Sequence, residues 1–342
     1  MDASTSSCPS PTWMLADGDG RGARRTIWAR TAAAAARERA GSPTVVVGAL
    51  GFHAEIRCEN AELARATSVT FADLAPSPDT GHDGAPAHSH EITVVAAHDD
   101  FVAVWADGVK VAGRLRPGLV LPTLSWILNQ GVIAHASDLV LFHAAALCSG
   151  DAGVLLPATS GSGKSTLAAA LVASGLSYLS DEVGALDAPS GRLVAYPKPI
   201  SLDNGSFVAL GAAPAPVERS AVVDDATAHW TDLQWQVPAG AVRVGAVASS
   251  CRTSVVVFPT RSTDGTGQLR PLGRAALCAR LVEHSMTVLR QPSEHFAACA
   301  ALAKRVAGYE LGVGDLTRAC AELRQLLDCQ EATSNVGTMV TQ

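Results

Sequence analysis

The segment LLPATSGSGKSTLAAAL, residues 155–171, combines glycine, lysine and hydroxyl side chains in an order typical of phosphate binding. Residues 158–165 match A-x-x-x-x-G-K-S, the alanine-tolerant form of the phosphate-loop (Walker A) pattern. Gly161 and Gly163 allow the backbone to turn its N–H groups toward phosphate oxygens. Lys164 can then reach the β- and γ-phosphates, and the Ser165 hydroxyl is placed for magnesium. The pattern predicts ATP and Mg²⁺ as cofactors, with nucleotide contacts from Ala158, Thr159, Ser160, Gly161, Ser162, Gly163, Lys164, Ser165 and Thr166.

An acidic pair follows this loop at a short distance along the chain. The segment YLSDE places Asp181 and Glu182 at the end of the next strand. Because the ends of parallel strands line up beside a phosphate loop, we expect both carboxylates near the γ-phosphate and the magnesium ion. One can hold the metal and the other can accept a proton from an attacking hydroxyl, and the sequence does not say which does which. The alternative is a solvated acidic turn after a strand.

Two common classes of phosphate-loop protein are not indicated by the sequence. An ABC-type ATPase needs an LSGGQ-like helix start, and a GTPase needs an NKxD motif that reads the base. Neither motif occurs in the chain. The loop and the acidic pair together indicate a site for phosphoryl transfer.

The segment around the loop, FHAAAL…VLLPATSGSGKSTLAAALVASGLSYLSDEVGAL, resembles the catalytic core of the HPr kinase/phosphorylase family, and especially the HPr-kinase-related serine kinases. In that family a histidine lies on the strand before the loop, and the strand after the helix ends in acidic residues. The matching positions are His143, Lys164, Ser165, Asp181 and Glu182. The similarity spans roughly residues 115–327 and is specific only around residues 141–202.

The resemblance implies transfer of the γ-phosphate of ATP to a hydroxyl, with a serine on a protein or peptide partner as the acceptor, by an enzyme that forms a homo-oligomer. It also implies catalytic roles for Asp181, Glu182, His143 and Lys164, and magnesium binding by Ser165, Asp181 and Glu182. Val183 replaces the third acid of the bifunctional enzymes, and their downstream glycine-rich signature has no match, so dephosphorylation of HPr is not expected. A small-molecule hydroxyl kinase and a non-catalytic ATP-binding regulatory module stay open.

Several other residues have both a functional and a structural interpretation. His143 lies on an apolar strand, where a hydrogen-bonded core histidine is the alternative to a site residue. Arg261 follows a strand and could contact the nucleotide and neutralise the transferring phosphoryl group, or it could be a solvated loop residue. Lys198 lies between two prolines, and an exposed loop charge is favoured over a phosphate contact. His82, His88 and His90 could bind a metal, but their loose polar segment favours a loop without a metal.

The surrounding elements place these residues in an α/β fold. A strand before the loop and a helix after it form a P-loop (Walker A) nucleotide-binding core of HPr-kinase type, as the resemblance implies, preceded by a small N-terminal β-containing domain. The chain divides into a flexible tail at 1–25, an α+β domain at 26–115 with a loose 75–91 loop, a catalytic domain at 116–330 and a tail at 331–342. Residues 199–240 have no clear periodicity, and a helical pattern dominates from Gly273 to Cys329.

Composition limits the other classes of function. The net charge of −6 and the pI near 5.9 give no electrostatic reason to expect a nucleic acid or an anionic membrane as a partner. The eight cysteines include no CxxC pair, which suits reduced thiols in a cytoplasmic protein. No secretory signal and no apolar run of membrane-spanning length are evident in the sequence. We therefore expect a cytoplasmic protein.

Overall fold

The computed structural model describes residues 26–40, 45–75, 89–261 and 267–339. The tail expected at 1–25 lies outside the described residues, as do residues 76–88 of the expected loop, with His82 and His88 among them. Two compact units divide the chain, one formed by Met1–His135 with Asp224–Leu233 and the other by Ala136–Val223 with Gln234–Gln342. The domain bounds given from the sequence stay a prediction.

The described residues up to 135 form three α-helices, two short 3-10 helices (Ala72–Leu74 and Pro117–Leu119) and five strands. In chain order the α-helices and strands are α1 Thr26–Ala40, β1 Val45–Ala49, β2 Phe52–Cys58, α2 Ala61–Thr70, β3 His90–Ala96, β4 Val102–Ala106, β5 Val109–Leu115 and α3 Val120–His135.

The described residues after 135 form the other helices and strands. In chain order they are β6 Val140–Ser149, β7 Ala152–Pro157, α4 Lys164–Ala173, β8 Ser177–Ser180, β9 Val183–Asp187, β10 Arg192–Val194, β11 Ile200–Leu202, α5 Asn204–Gly211, α6 Arg219–Val222, α7 Asp225–Ala228, β12 Trp235–Val237, α8 Ala239–Val242, β13 Ser250–Arg261, β14 Leu269–Leu272, α9 Arg274–Glu283, α10 Pro292–Arg305, β15 Ala307–Val313 and α11 Leu316–Met339.

The first unit is built on a five-stranded sheet in the order β1-β2-β3-β4-β5. β2 and β3 are parallel, and every other neighbouring pair is antiparallel. Asp107 and Gly108 join β4 to β5 with φ angles of 47° and 76°, so both central residues adopt the left-handed conformation that a tight hairpin turn requires. Helix α1 packs on this sheet through Ala36 and Ala40, which join Val95, Ala103 and Trp105 in a small apolar cluster.

The second unit is built on an eight-stranded sheet. Its path runs β10-β9-β6-β7-β13-β15-β14, with β8 paired to β6. β7, β13 and β15 are parallel, whereas β6 runs antiparallel to β7, β8 and β9. A separate two-stranded sheet pairs β11 with β12. The sheet is therefore mixed.

Helices cover both faces of the larger sheet, and β13 shows why the sequence folds this way. Its residues are buried on both sides, and successive side chains point to opposite faces. Val255 and Val257 pack into a cluster with α4 and α11, while Val256 and Phe258 pack into another with α9 and α10. Burying one such side chain contributes about 1.5–3 kcal/mol. The coarse prediction of an α/β fold is confirmed by these layers.

Two stretches differ from the expected pattern. The helical pattern expected from Gly273 to Cys329 is interrupted by β15, whose Gly-containing segment AGYELGV pairs with β13 and β14. Residues 199–240 contain short helices and the strands of the small sheet, each too brief to give a periodic signal. Among the described helices, none combines the length and apolar character needed to cross a bilayer.

Candidate functional site

The loop from residue 158 to residue 163 connects the end of β7 to the start of α4. Gly161 and Gly163 have φ angles of 76° and 90°, in the left-handed region that favours glycine. A Cβ built on either glycine meets nothing within 4 Å, so the loop backbone borders open space. Gly163 is the N-cap of α4 and makes no side-chain capping bond. The first N–H groups of this helix are therefore available to an anion.

A cavity of about 700 Å³ opens beside this loop within the second unit. Most of the site residues predicted from the sequence line it: His143, Ser160, Gly161, Ser162, Gly163, Lys164, Ser165, Thr166, Asp181, Glu182 and Arg261. Ala158 and Thr159 lie beside it in the loop, with Ala158 buried and Thr159 exposed. The structure therefore brings the loop, the histidine, the acidic pair and the arginine to one place.

Lys164 points its amine into the protein at the edge of this cavity. The residue is 6% exposed, and Nζ lies 3.3 Å from His143 Nε2 and 3.4 Å from the Ala158 carbonyl oxygen. Burial lowers the pKa of Lys164 despite the opposing charges of Asp181 and Glu182. Burial and the nearby Lys164 charge lower the pKa of His143, so its neutral imidazole can accept the hydrogen bond from the amine.

The acidic pair lies in an interruption between two strands. β8 ends at Ser180 and β9 begins at Val183, and both strands pair with β6. Because β6 is antiparallel both to β7 and to β8, β8 runs in the same direction as β7 and ends at the edge where the loop begins. The prediction of a parallel sheet is wrong at this point, because β6 lies between β7 and β8 and is antiparallel to both. The carboxylates reach the loop because β7 and β8 are both antiparallel to β6 and therefore run in the same direction.

Asp181 is buried, and both of its carboxylate oxygens have polar partners. Its side chain is 1% exposed, and Oδ1 lies 2.7 Å from Lys198 Nζ. The Tyr178 hydroxyl donates to Oδ1 at 3.1 Å, and the Ser201 N–H donates to Oδ2 at 3.3 Å. Ser165 also hydrogen-bonds this carboxylate. Burial alone would raise the pKa of Asp181, but Lys198 and the hydrogen bonds hold it below its ordinary value.

Lys198 is the main site residue that the sequence interpretation missed. The expected exposed charge is wrong, because the side chain is 1% exposed. Its Nζ lies 3.4 Å from Glu182 Oε2 and donates to the Pro199 carbonyl at 2.9 Å, in addition to its pair with Asp181. Burial opposes the charged form, yet the two carboxylates raise the pKa of Lys198. The sequence signal for an ordered position was the pair of flanking prolines, Pro197 and Pro199, which fix the backbone on either side of Lys198.

Glu182 differs from its neighbour in exposure. Both carboxylates line the cavity, but the Glu182 side chain is 40% exposed and that of Asp181 only 1%. The backbone holds it in place: the Ala144 N–H donates to the Glu182 carbonyl at 3.1 Å, and the Ser180 hydroxyl accepts from the Glu182 N–H at 3.4 Å. The two carboxylates therefore have different chemistry: Asp181 is buried and paired with Lys198, and Glu182 is more accessible from the cavity.

The cavity lining also contains a chain of hydrogen-bonded hydroxyl groups that was not predicted from the sequence. Thr166 Oγ1 lies 2.8 Å from Ser206 Oγ, which donates to Asp203 Oδ1 at 2.9 Å. Asp203 caps α5, and hydrogen bonds from the Ser206 N–H and hydroxyl lower its pKa. Arg261, exposed at the end of β13, adds a smaller electrostatic contribution in the same direction. The SLDN segment carried an N-cap signal for Asp203 but no signal for a cavity.

The donor chemistry of this site fits a magnesium–nucleotide complex. Ser165 and Asp181 supply oxygen ligands, which Mg²⁺ prefers. Ser162 Oγ is buried without a hydrogen-bond partner, and the open space at Gly161 and Gly163 is where phosphate oxygens fit. Within the described ranges, no group of three or more His, Cys, Asp or Glu residues could hold a metal ion. A magnesium ion bound here would therefore take further ligands from phosphate and water.

The chain was compared with known proteins. No protein-family model matches it, and neither does any curated protein sequence. Among solved structures, a match is found to the Hpr(Ser) kinase/phosphatase from Coxiella burnetii, with 14% sequence identity and a TM-score of 0.29. The match covers 56% of this chain and 98% of that one. This likeness is weak, so membership of the HPr kinase family stays a prediction and the interpretation of the site rests on its geometry.

Proposed function

We propose that this cavity binds ATP with Mg²⁺ and that the protein transfers the γ-phosphate to a hydroxyl group, with a serine of a protein or peptide as the acceptor. The observation that carries the proposal is the meeting, in one cavity, of an open glycine loop, a buried lysine and two carboxylates of unequal exposure. A structural loop has no need of this combination. A phosphoryl-transfer site needs each part of it.

The loop amides and Lys164 bind the phosphates in this proposal. The uncapped start of α4 and the two left-handed glycines present N–H groups to the same volume that the Lys164 amine borders. His143 keeps the amine in position by accepting a hydrogen bond from it. We therefore assign His143 a positioning role.

Ser165 and Asp181 hold the metal in this proposal, with Glu182 close enough to share it. When bound, Mg²⁺ neutralises charge on the phosphate oxygens. Lys198 keeps Asp181 ionised in a buried position, because its ammonium group offsets the burial that would otherwise favour the protonated acid. Tyr178 and Ser201 fix the orientation of the carboxylate.

Glu182 is the better candidate for the general base. A base needs a carboxylate that faces the acceptor hydroxyl and gains a proton readily. Asp181 has both oxygens occupied and a lowered pKa, so it accepts a proton poorly. Glu182 takes the proton of the acceptor hydroxyl, whose oxygen bonds to the γ-phosphorus as the bond from that phosphorus to the β–γ bridging oxygen breaks. Arg261 lies at the rim, where it can offset charge on the transferring group.

The test follows label from γ-labelled ATP into serine peptides, into free serine and into the proteins encoded beside the gene. Glu182→Gln is compared with Glu218→Gln, which changes an exposed glutamate outside the cavity lining. We expect Glu182→Gln to lower the transfer rate about 10²- to 10⁴-fold with a much smaller effect on nucleotide affinity, and Glu218→Gln to behave like the wild type.

Three other results of this experiment would change the proposed function. Equal transfer by Glu182→Gln and the wild type would remove Glu182 as the base. Label in free serine but not in peptides would indicate a small-molecule kinase. Nucleotide binding without transfer to any acceptor would indicate a regulatory module and refute the proposed enzyme activity.

A further inference from the structure

Two histidines of the first unit face each other through the same ring nitrogen. His90 begins β3 and His135 ends α3, and their Nε2 atoms lie 2.9 Å apart. The ring centroids are 4.6 Å apart and the ring planes meet at 68°. The lone-pair positions of the two imidazoles therefore converge on one point.

The opposite nitrogen of each ring is fixed by an acceptor. Asp107 Oδ2 lies 2.7 Å from His90 Nδ1, and the Gly131 carbonyl oxygen lies 2.8 Å from His135 Nδ1. Neither a carboxylate nor a carbonyl can donate, so both Nδ1 atoms carry the hydrogen. In the neutral form of each ring, Nε2 is then a bare acceptor. Two acceptor nitrogens at 2.9 Å repel each other, so this geometry favours an electrophile between them.

We propose that His90 and His135 bind a divalent transition metal ion of the zinc class, in competition with a single proton. Metal-bound histidines characteristically donate the other ring N–H to a carboxylate or a backbone carbonyl, and this pair shows one of each. Imidazole nitrogen is a preferred ligand of Zn²⁺, Cu²⁺ and Ni²⁺. Two nitrogens on one tetrahedral zinc lie about 3.3 Å apart, so opening the 2.9 Å separation by about half an ångström admits the ion.

The surroundings hold both rings in place. Phe52 stacks on His90 with centroids 5.1 Å apart and planes at 17°, and its centroid lies 5.3 Å from that of His135. This close packing requires a glycine at position 131, because a Cβ there would lie 2.4 Å from the Phe52 ring. Asp107 is held in turn, since its Oδ1 accepts from the Glu91 N–H at 2.8 Å. The pair therefore has a supported and preorganised geometry.

The charges near the pair favour a cation. The His90 side chain is 17% exposed and borders a cavity of about 520 Å³ whose lining includes Asp107, Glu55, Glu91 and Arg37. Arg37 is paired with Glu91 at 2.8 Å and Arg57 with Glu55 at 3.0 Å, whereas Asp107 Oδ2 is paired with His90 itself, at 2.7 Å. Among the described residues no cluster of three or more ligands exists. The two imidazoles therefore supply part of the coordination sphere, and water suffices for the rest.

The experiment titrates Zn²⁺ into the metal-free full chain in the presence of excess Mg²⁺. Calorimetry counts the bound ions, and long-range ¹H–¹⁵N spectra follow the histidine Nε2 atoms. We expect one Zn²⁺ equivalent that is lost in His90→Ala and in His135→Ala and kept in His98→Ala, an exposed histidine of the same unit. Asp107→Asn, which leaves both ligands in place, should weaken binding about 10- to 100-fold.

Two results would overturn the proposal. One is a Zn²⁺ stoichiometry that is the same in the wild type, His90→Ala and His135→Ala, together with an unchanged affinity in Asp107→Asn. The other is an Nε2 proton signal that persists at saturating Zn²⁺, which would make a proton the only occupant. Circular dichroism checks that each variant is folded, and Asp107→Asn decides the outcome if either alanine variant is not.

Discussion

Replacing Lys198 by methionine tests the buried ion pair on which the site is built. Lys198→Met keeps the length of the side chain and removes its charge. Asp181 then stays in the interior without its cation, although Tyr178 and Ser201 still donate hydrogen bonds to it. The variant therefore loses stability because a buried carboxylate lacks a counter-ion, and not only because one contact is lost.

The size of the effect follows from the burial. Both partners are 1% exposed, so solvent screens the pair very little. Removing one partner of such a pair destabilises a protein by about 3–5 kcal/mol. The remaining hydrogen bonds to Asp181 favour the lower end of this range. For a domain of this size, the melting point falls by about 2–4 °C for each kcal/mol of stability lost, so a loss of about 3 kcal/mol lowers it by about 6–12 °C.

The assay is thermal unfolding followed by circular dichroism, with Lys304→Met as the matched control. Lys304 is exposed near the end of α10, and its replacement should change stability by less than about 0.5 kcal/mol. The double variant Lys198→Met/Asp181→Asn should recover most of the loss, because no buried charge then lacks a partner. A Lys198→Met melting point equal to that of Lys304→Met would refute the reasoning.

Three further predictions concern the same site. The raised pKa of Lys198 contributes stability that is complete below about pH 10.4 and is lost as the pH rises through its folded-state pKa, and the lowered pKa of Asp181 contributes stability lost only below about pH 3.9. Denaturant unfolding should therefore show that the difference in unfolding free energy between the wild type and Lys198→Met becomes smaller at both extremes of pH. A difference independent of pH would contradict this. Gly163→Ala meets no atoms but strains a φ of 90°, so calorimetry should show a loss of about 1–2 kcal/mol and weaker nucleotide binding. Tyr178→Phe removes the donor to Asp181 and to the Lys198 carbonyl, so thermal unfolding should show a loss of about 1–3 kcal/mol, and unchanged stability would show that these bonds are not formed.

The local elements around the loop could be predicted because their signals are local. An apolar strand, a glycine loop and a helix follow one another within residues 152–173, and the Asp107–Gly108 pair marks a hairpin turn. The strand β15 was not predicted, because its glycine-containing segment follows a long helical pattern and its pairing with β13 is a long-range contact. Periodicity reports which face is buried, not which strand lies beside it.

The candidate site was predicted in part for the same reason. The loop and the acidic pair were identified from residue types and spacing. Lys198 was not, because the burial of a charged residue between two prolines depends on Asp181, which lies in a different element. The pairing of His90 with His135 was also invisible, since it joins the start of a strand to the end of a helix. Contacts of this kind follow from tertiary packing and leave no periodic trace in the sequence.

The binding of Mg²⁺–ATP by the full chain tests the central claim most directly. Calorimetry of the wild type, Lys164→Met and Lys304→Met separates the buried lysine of the cavity from an exposed one. We predict one nucleotide per chain, dependent on Mg²⁺, with affinity lowered about 10- to 100-fold in Lys164→Met because a charged hydrogen bond worth about 1.5–3 kcal/mol is lost. Lys304→Met should bind like the wild type. Absence of nucleotide binding by the wild type, or equal affinity in all three proteins, would contradict the account.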